Sequence, residues 1–564
     1  MTGGAPMGLG RRSQVSVGLA AAMALVGLMS ASGVAIAGDH LSRTQLLEGV
    51  RPVAGPPLGR AKPAASAPNL APTGASPWTL LKNPPPFGTP GTMLLESDGT
   101  VLVHDEPDNN STGGTNAWYK LTPNSKGSYV DGTWSRIASM PAAYTPLYFA
   151  SAILPDGRMI VEGGEYIGEN AVWSNQGAIY NPLTNTWRSV APPGGWTNIG
   201  DAQSDVLANG TYMLSQACQN CMSSSPILTS DFALFNATGL NWLALPGQGK
   251  NDPNDEEGWN LEPSGQLLTV DTWLTPTTEL FTPSSLSWSF AGNTVKSPVN
   301  TPEVEIGAQV VLPGGNTFVV GAGTSSDVAP NACKTHTPAP TALYDYAAGR
   351  WVKSPTIPTI GGMQQDATDG PASILPDGNV LFDVGPCVYN APLAFFLYNA
   401  SSNTISAVPN IPNAANDSPY YTRMLALPNG QVLFNDGSNQ MLVYTAGGTA
   451  NAAWAPSITS ISATALTPGK TASLSGTQLA GLSQGAAYGD DVQDNTNFPL
   501  VRITNTESGV VTYARTSNWT SVSIAPGAAS STDFTVPTTT PAGPSSLVVV
   551  ANGIASAPVS VTIS

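Results

Sequence analysis

The chain has 564 residues, of which only 10% are charged and 41% are hydrophobic, with 58 Gly, 50 Pro and a formal net charge of −16. That acidity argues against nucleic acid or an anionic membrane as a partner. The apolar residues fall in short runs able to bury a core, which excludes a disordered Pro/Gly chain, and long helical patterns are absent, so an all-β protein is predicted.

At the N-terminus Arg11-Arg12 precede an apolar stretch from Val15 to Met29, and Ala35-Ile36-Ala37 supplies small residues for cleavage. Residues 1–37 therefore read as an export signal peptide cut after Ala37. Arg11-Arg12-Ser13 fits both a twin-arginine signal and an ordinary basic leader. The stretch is too short for a membrane span and no other segment could serve as one, so a secreted or periplasmic protein is expected. Residues 38–76, rich in Pro and Ala, read as an extended linker.

From residue 77 to 454 one grammar repeats. An apolar run reaches a tight turn and a second apolar run leaves it, at Gly99, Gly157, Gly210, Gly265, Gly315, Gly378 and Gly430, which lie 50–63 residues apart. Asp-Gly and Asn-Gly pairs at these places mark hairpins. A third strand follows with Leu121, Tyr180, Phe235, Phe281, Tyr344, Tyr398 or Tyr444, and a fourth with Trp134, Trp187, Trp242, Trp288, Trp351 or, in the sixth unit, Ile405. Strand, hairpin, aromatic and Trp at a period near fifty are the kelch pattern, so a seven-bladed kelch-type β-propeller is predicted and the tryptophans are assigned to packing between blades. The seventh unit lacks a fourth strand and the first has one to spare; the Trp78 strand should complete blade seven and leave no open edge. From 455 to 564 short strands alternate with turns every eight to twelve residues, as in one β-sandwich of immunoglobulin-like type.

Signal peptide, kelch propeller and C-terminal sandwich together resemble the galactose oxidase/glyoxal oxidase group and its bacterial kelch relatives. The likeness covers residues 78–564 and includes Gly485-Ala486-Ala487-Tyr488-Gly489-Asp490-Asp491 through Pro499-Leu500-Val501-Arg502-Ile503-Thr504, which looks like the early-set sandwich of the bacterial members. The resemblance implies a copper radical oxidase, but the residues depart from that chemistry. The Tyr-His pair of the family falls on Tyr420-Tyr421, its cross-linked tyrosine on Tyr148, the cysteine partner near Pro90 and the sandwich histidine near Thr516-Ser517. Both histidine ligands and the cysteine are missing, so copper is not expected.

Blade register nevertheless gathers acids at one end of the wheel. Residues nine before the turn glycines are Pro90, Tyr148, Asp201, Glu256, Ile306, Asp369 and Tyr421, with Glu257, Glu305 and Asp366 beside them and His104 at the end of a second strand. Asp201, Glu256 and Asp369 are the candidates for binding a hard cation such as Ca²⁺ or, with Tyr148 and Tyr421, for acid–base work on a glycan. Glu257, Glu305, Asp366, His104 and Arg423 are candidate ligand-binding residues. A third reading has the acids capping loops. Binding module and enzyme, whether glycan hydrolase, lyase or altered copper oxidase, both remain open. The partner expected is extracellular carbohydrate or protein, met by a monomer.

In an exported chain four cysteines suggest two disulfides. Cys218 and Cys221 lie in one loop, and Cys333 and Cys387 follow equivalent strands of neighbouring units, so these pairs are predicted. A zinc site using Cys333 and His336 is the alternative.

Overall fold

A computed structural model describes residues 76–106, 114–200, 202–325, 333–488, 492–493 and 497–564. Residues 1–37, read as a signal peptide, nearly all of residues 38–76, read as a linker, and Asp201 lie outside the described residues. Among these residues the structure is strands, turns and three short 3-10 turns, and no helix is long and apolar enough to cross a membrane.

Successive antiparallel sheets are built by neighbouring stretches of chain, and we label them A to G. Sheet A comprises Pro90–Leu95, Val101–Asp105, Trp118–Thr122 and Thr133–Arg136; sheet B comprises Ala150–Ile153, Met159–Glu162, Gly177–Asn181 and Thr186–Val190. Sheets C, D, E and F repeat the pattern from Ser204, Asn260, Gln309 and Ala372, and sheet G begins at Arg423. Each turn glycine sits between the first two strands of its sheet. All of them adopt positive φ, from +72° at Gly99 to +87° at Gly315, where a Cβ would be strained. The same hydrogen bond closes every turn, as from Gly157 N to Leu154 O at 2.8 Å and from Gly430 N to Leu427 O at 2.9 Å.

The aromatic pattern has a register behind it. Tyr180 lies directly opposite Trp187, Phe235 opposite Trp242, Phe281 opposite Trp288 and Tyr344 opposite Trp351. Such cross-strand aromatic pairs stabilise a sheet by close contact on one face. Several of these indoles also reach the preceding sheet: Trp187 donates to Ala138 O (2.8 Å) and Trp242 to Ala191 O (3.0 Å), each carbonyl just beyond the outer strand of the sheet before.

Trp78–Leu80 joins this series at its seam. It pairs with Leu442–Thr445 as the outer strand of sheet G, with Trp78 opposite Tyr444. The Trp78 indole donates to Pro409 O (2.7 Å), just past the outer strand of sheet F, and Trp134 of sheet A donates to Asn83 O (3.0 Å), just past the Trp78 strand. One hydrogen-bond relation thus links F to G and G to A, as it links A to B and B to C.

Strands from Ser457 to Ile563 form a nine-stranded sheet around Leu474, Val501, Ile503, Phe534, Val549 and Val561. It curls because Val511–Ser517 changes partner midway, pairing Leu500–Asn505 through its first half and Ala529–Thr535 through its last residues. Gln484–Tyr488, read from sequence as part of this region's own sandwich, instead adds to the first strand of sheet E, with Gln309 opposite Ala487. Gln484 anchors it. Its amide donates to both oxygens of Asp205 in sheet C (2.8 and 2.7 Å) and its carbonyl accepts Leu261 N (2.5 Å) in sheet D. Thr516, by contrast, lies beside the turn glycines, its N–H bonded to Ser97 O (3.1 Å).

Several carboxyls are buried here without a neighbouring cation. Burial drives Glu162 well above the usual carboxylate range, Asp205 to about 7 and Glu262 to about 8. Neither oxygen of Glu162 has a hydrogen-bond partner, and the carboxyl lies over Gly177, where a Cβ would collide with it. Between about pH 4 and pH 8 the folded chain therefore binds more protons than the unfolded one, and stability must fall as pH rises through that window. The Tm should peak in mild acid and decline toward pH 8. Glu162→Gln should flatten that decline by up to about 1.4 kcal/mol per pH unit, read by thermal melts at a series of pH values.

Candidate functional site

The first strands of sheets D and F are entered through sharp reversals. Glu256 and Asp369, each nine residues before its turn glycine, have φ of +59° and +54°, and Tyr148, entering sheet B, has +55°. Non-glycine residues rarely adopt this conformation, and it costs roughly 1–3 kcal/mol unless the surroundings enforce it. At the entry to sheet D its effect is to send the neighbours Glu256 and Glu257 into two different groups of side chains.

Glu256 joins Glu305 and Asp369. All three carboxyls are buried, and Asp369 N donates to Ile306 O (3.2 Å), which ties the entry of sheet F to that of sheet E. Tyr389, in the loop after the second strand of sheet F, donates its hydroxyl to Glu305 Oε1 at 2.6 Å. Burial holds Glu305 well above the normal carboxylate range, and the charges of Asp369 and Glu256 raise it further. Burial likewise lifts the Tyr389 hydroxyl, helped by Asp369 and Glu305. Three crowded carboxyls of this kind cannot all be ionised, so the group carries protons at neutral pH. A ladder of rings leads outward from it: Tyr389 meets Tyr420 edge-on at 5.3 Å, and Tyr420 meets the half-buried Tyr421 at 4.2 Å.

Glu257 turns into a second buried group. Its Oε1 accepts Lys250 Nζ at 2.7 Å, and its Oε2 accepts Gln203 (2.9 Å) and Thr269 (3.1 Å). Lys250 also pairs with Glu279 at 3.4 Å and donates to Asp252 O at 3.0 Å. Burial alone would push the ammonium pKa down, but the charges of Glu257, Glu279, Asp252 and Asp271 outweigh it and hold the lysine charged. Among the described residues, Asp252, Glu257 and Asp271 offer carboxylate oxygens within 4.8 Å of one another. Lys250, Asp252 and Glu279 are absent from the sequence-based candidates. The signal was present in Lys250-Asn251-Asp252-Pro253-Asn254-Asp255-Glu256-Glu257, a dense run of charge in a charge-poor chain.

The remaining candidates occupy other surroundings. Asp366 caps a loop, accepting Gly323 N and both the N–H and hydroxyl of Thr368. His104 is fully buried against Trp118 and Phe149, with Nε2 3.1 Å from Thr115 O, and burial lowers its pKa so that the ring is neutral. Arg423 is 3% exposed, and its Nη1 donates to Tyr420 O and Thr422 O, both at 2.9 Å, bracing the turn that carries the two tyrosines. Tyr148 packs with Leu147 and Tyr166. Asp201 lies outside the described residues. The cysteines form the pairs Cys218–Cys221 and Cys333–Cys387, so Cys333 is not available as a zinc ligand.

No protein-family model matches the chain, and no curated protein matches it. Among solved structures it is similar to a novel fungal alcohol oxidase of the AA5 family in complex with copper. That likeness has 13% identity and a TM-score of 0.48, covering 86% of this chain and 98% of the other. It is also similar to a protein named YjhT, with 17% identity and a TM-score of 0.40, covering 58% of this chain and 99% of the other.

Proposed function

We propose that the chain is an exported seven-bladed kelch-type propeller with an immunoglobulin-like C-terminal domain, and that it recognises extracellular carbohydrate through the acidic end of the wheel. Sheets A to G are the blades and the Trp78 strand closes the ring. The two disulfides fit an oxidising compartment. The observation that carries the reading is the meeting of Glu256, Glu305 and Asp369, from the entries of three sheets, under the Tyr389 hydroxyl. Carboxyls that share protons both donate and accept, which matches sugar hydroxyls, and the Tyr389–Tyr420–Tyr421 ladder offers ring faces for the apolar side of a sugar. The same oxygens would accept a hard cation such as Ca²⁺ as a second kind of guest. Turnover is the second reading. It is favoured by the Asp369 carboxyl bonded to Glu305 and raising it, the arrangement a general acid requires.

A panel of neutral and acidic glycans assayed for both binding and hydrolysis tests this. Asp369→Asn suits the left-handed backbone at that position, so the fold should persist while glycan affinity falls at least about tenfold, the worth of one charge-assisted hydrogen bond. A wild-type chain that neither binds nor turns over any glycan overturns the reading.

A further inference from the structure

The group around Glu257 carries more negative charge than its own lysine can balance. Asp252, Glu257, Asp271 and Glu279 supply four carboxyls to one ammonium, and all five side chains are buried. Lys250 satisfies Glu257 and Glu279. Asp252 is held by three backbone N–H groups, with Oδ1 accepting Leu274 N (2.7 Å) and Oδ2 accepting Thr272 N (3.0 Å) and Trp273 N (3.3 Å). Asp271 takes the Thr277 hydroxyl on Oδ2, but its Oδ1 has no hydrogen-bond partner although the residue is only 1% exposed. An orphaned carboxylate oxygen beside further carboxylates is costly when buried, and a proton or a bound cation relieves it.

We propose that Asp252, Glu257 and Asp271 bind a calcium ion, with Lys250 as the second, built-in cation of the same group. Their oxygens all lie within 4.8 Å of one another, close enough to converge on one ion, and a set made only of carboxylate oxygens with irregular spacing suits the flexible oxygen coordination of Ca²⁺. The ion reduces the formal imbalance from three negative charges to one and gives Asp271 Oδ1 its partner. It also holds the Asp252 loop to the end of the second strand of sheet D, and through Glu257 it sets the strained Glu256 beside it.

The site has optical probes next to it. Trp273 bonds the Asp252 carboxylate through its backbone N–H, and the Trp288 ring lies 5.4 Å from Lys250 Nζ. Terbium titrated into the EDTA-treated full chain should give tryptophan-sensitised luminescence that calcium displaces, and metal analysis should find one calcium per chain after dialysis. Calcium should raise the Tm of the wild type, and Asp271→Asn should weaken the calcium midpoint at least tenfold. Trp273→Phe, which leaves every proposed ligand in place, should dim the luminescence without moving that midpoint, and it serves if Asp271→Asn does not fold. Absence of both luminescence and a calcium-dependent Tm shift overturns the proposal, as does a midpoint unchanged in Asp271→Asn. None of these readouts involves glycan, so failure here is separate from failure of the carbohydrate reading.

Discussion

Lys250→Met should be among the most damaging single substitutions in the chain. It leaves Glu257 and Glu279 without the ammonium they share, inside a group that already holds Asp252 and Asp271. Breaking a buried pair by removing one partner costs about 3–5 kcal/mol, because the charge left behind cannot return to water. Methionine fills nearly the same volume, so the loss is electrostatic rather than a cavity effect. The double variant Lys250→Met/Glu257→Gln should recover part of the loss, since it removes one of the stranded charges. Urea titrations of the two variants and the wild type give these differences directly. A loss under about 0.5 kcal/mol for Lys250→Met would mean that the carboxyls there are already neutral without it.

Trp78→Ala should be comparably severe, because one ring packs against two sheets at once. The ring is buried, with edge contacts to Phe395 of sheet F at 4.7 Å and to Phe434 and Tyr444 of sheet G at 5.3 and 5.1 Å. Its indole N–H also binds Pro409 O. Truncating a core tryptophan costs about 3–5 kcal/mol, equivalent in a chain of this size to a Tm lower by on the order of 3–5 °C. A chain beginning at Lys82 should fare worse still, because it exposes the outer edge of sheet G and should self-associate through it. Leu183→Ala, at a side chain 77% exposed, is the control and should leave the Tm unchanged. Calorimetry and light scattering would read both effects.

Much of the sheet pattern was legible because its physics is local. A Gly needed for positive φ, an apolar run on each side and an aromatic residue facing a Trp recur within each fifty-residue unit, and the Tyr444–Trp78 pairing follows from counting strands. The acidic group was legible only in part. Register places Asp201, Glu256 and Asp369 at equal distance from their turns, with Glu305 beside Ile306 at the same position of its unit. It could not show that Glu256 adopts left-handed backbone and so parts from Glu257, because a φ sign depends on the tertiary surroundings. Tyr389 escaped notice for a similar reason: it sits in a loop, where no strand period applies. His104, Arg423 and Asp366 looked like ligand-binding groups by position, yet each is turned inward to a backbone carbonyl or N–H. The addition of Gln484–Tyr488 to sheet E was beyond reach, because backbone pairing between distant strands leaves no mark on composition.

The pairing of the Trp78 strand with Leu442–Thr445, on which the proposed ring rests, is tested most directly by a cross-link. Thr79 lies opposite Val443 in that pairing, and all four native cysteines are already in disulfides. Thr79→Cys and Val443→Cys together should oxidise to a third disulfide, found by peptide mapping, because directly opposed strand residues bring their Cα atoms within disulfide range. Near-complete cross-linking in a chain of native melting behaviour is the result predicted. Two thiols that both stay open to alkylation in the folded, oxidised chain would contradict the closed ring and, with it, the meeting of Glu256, Glu305 and Asp369.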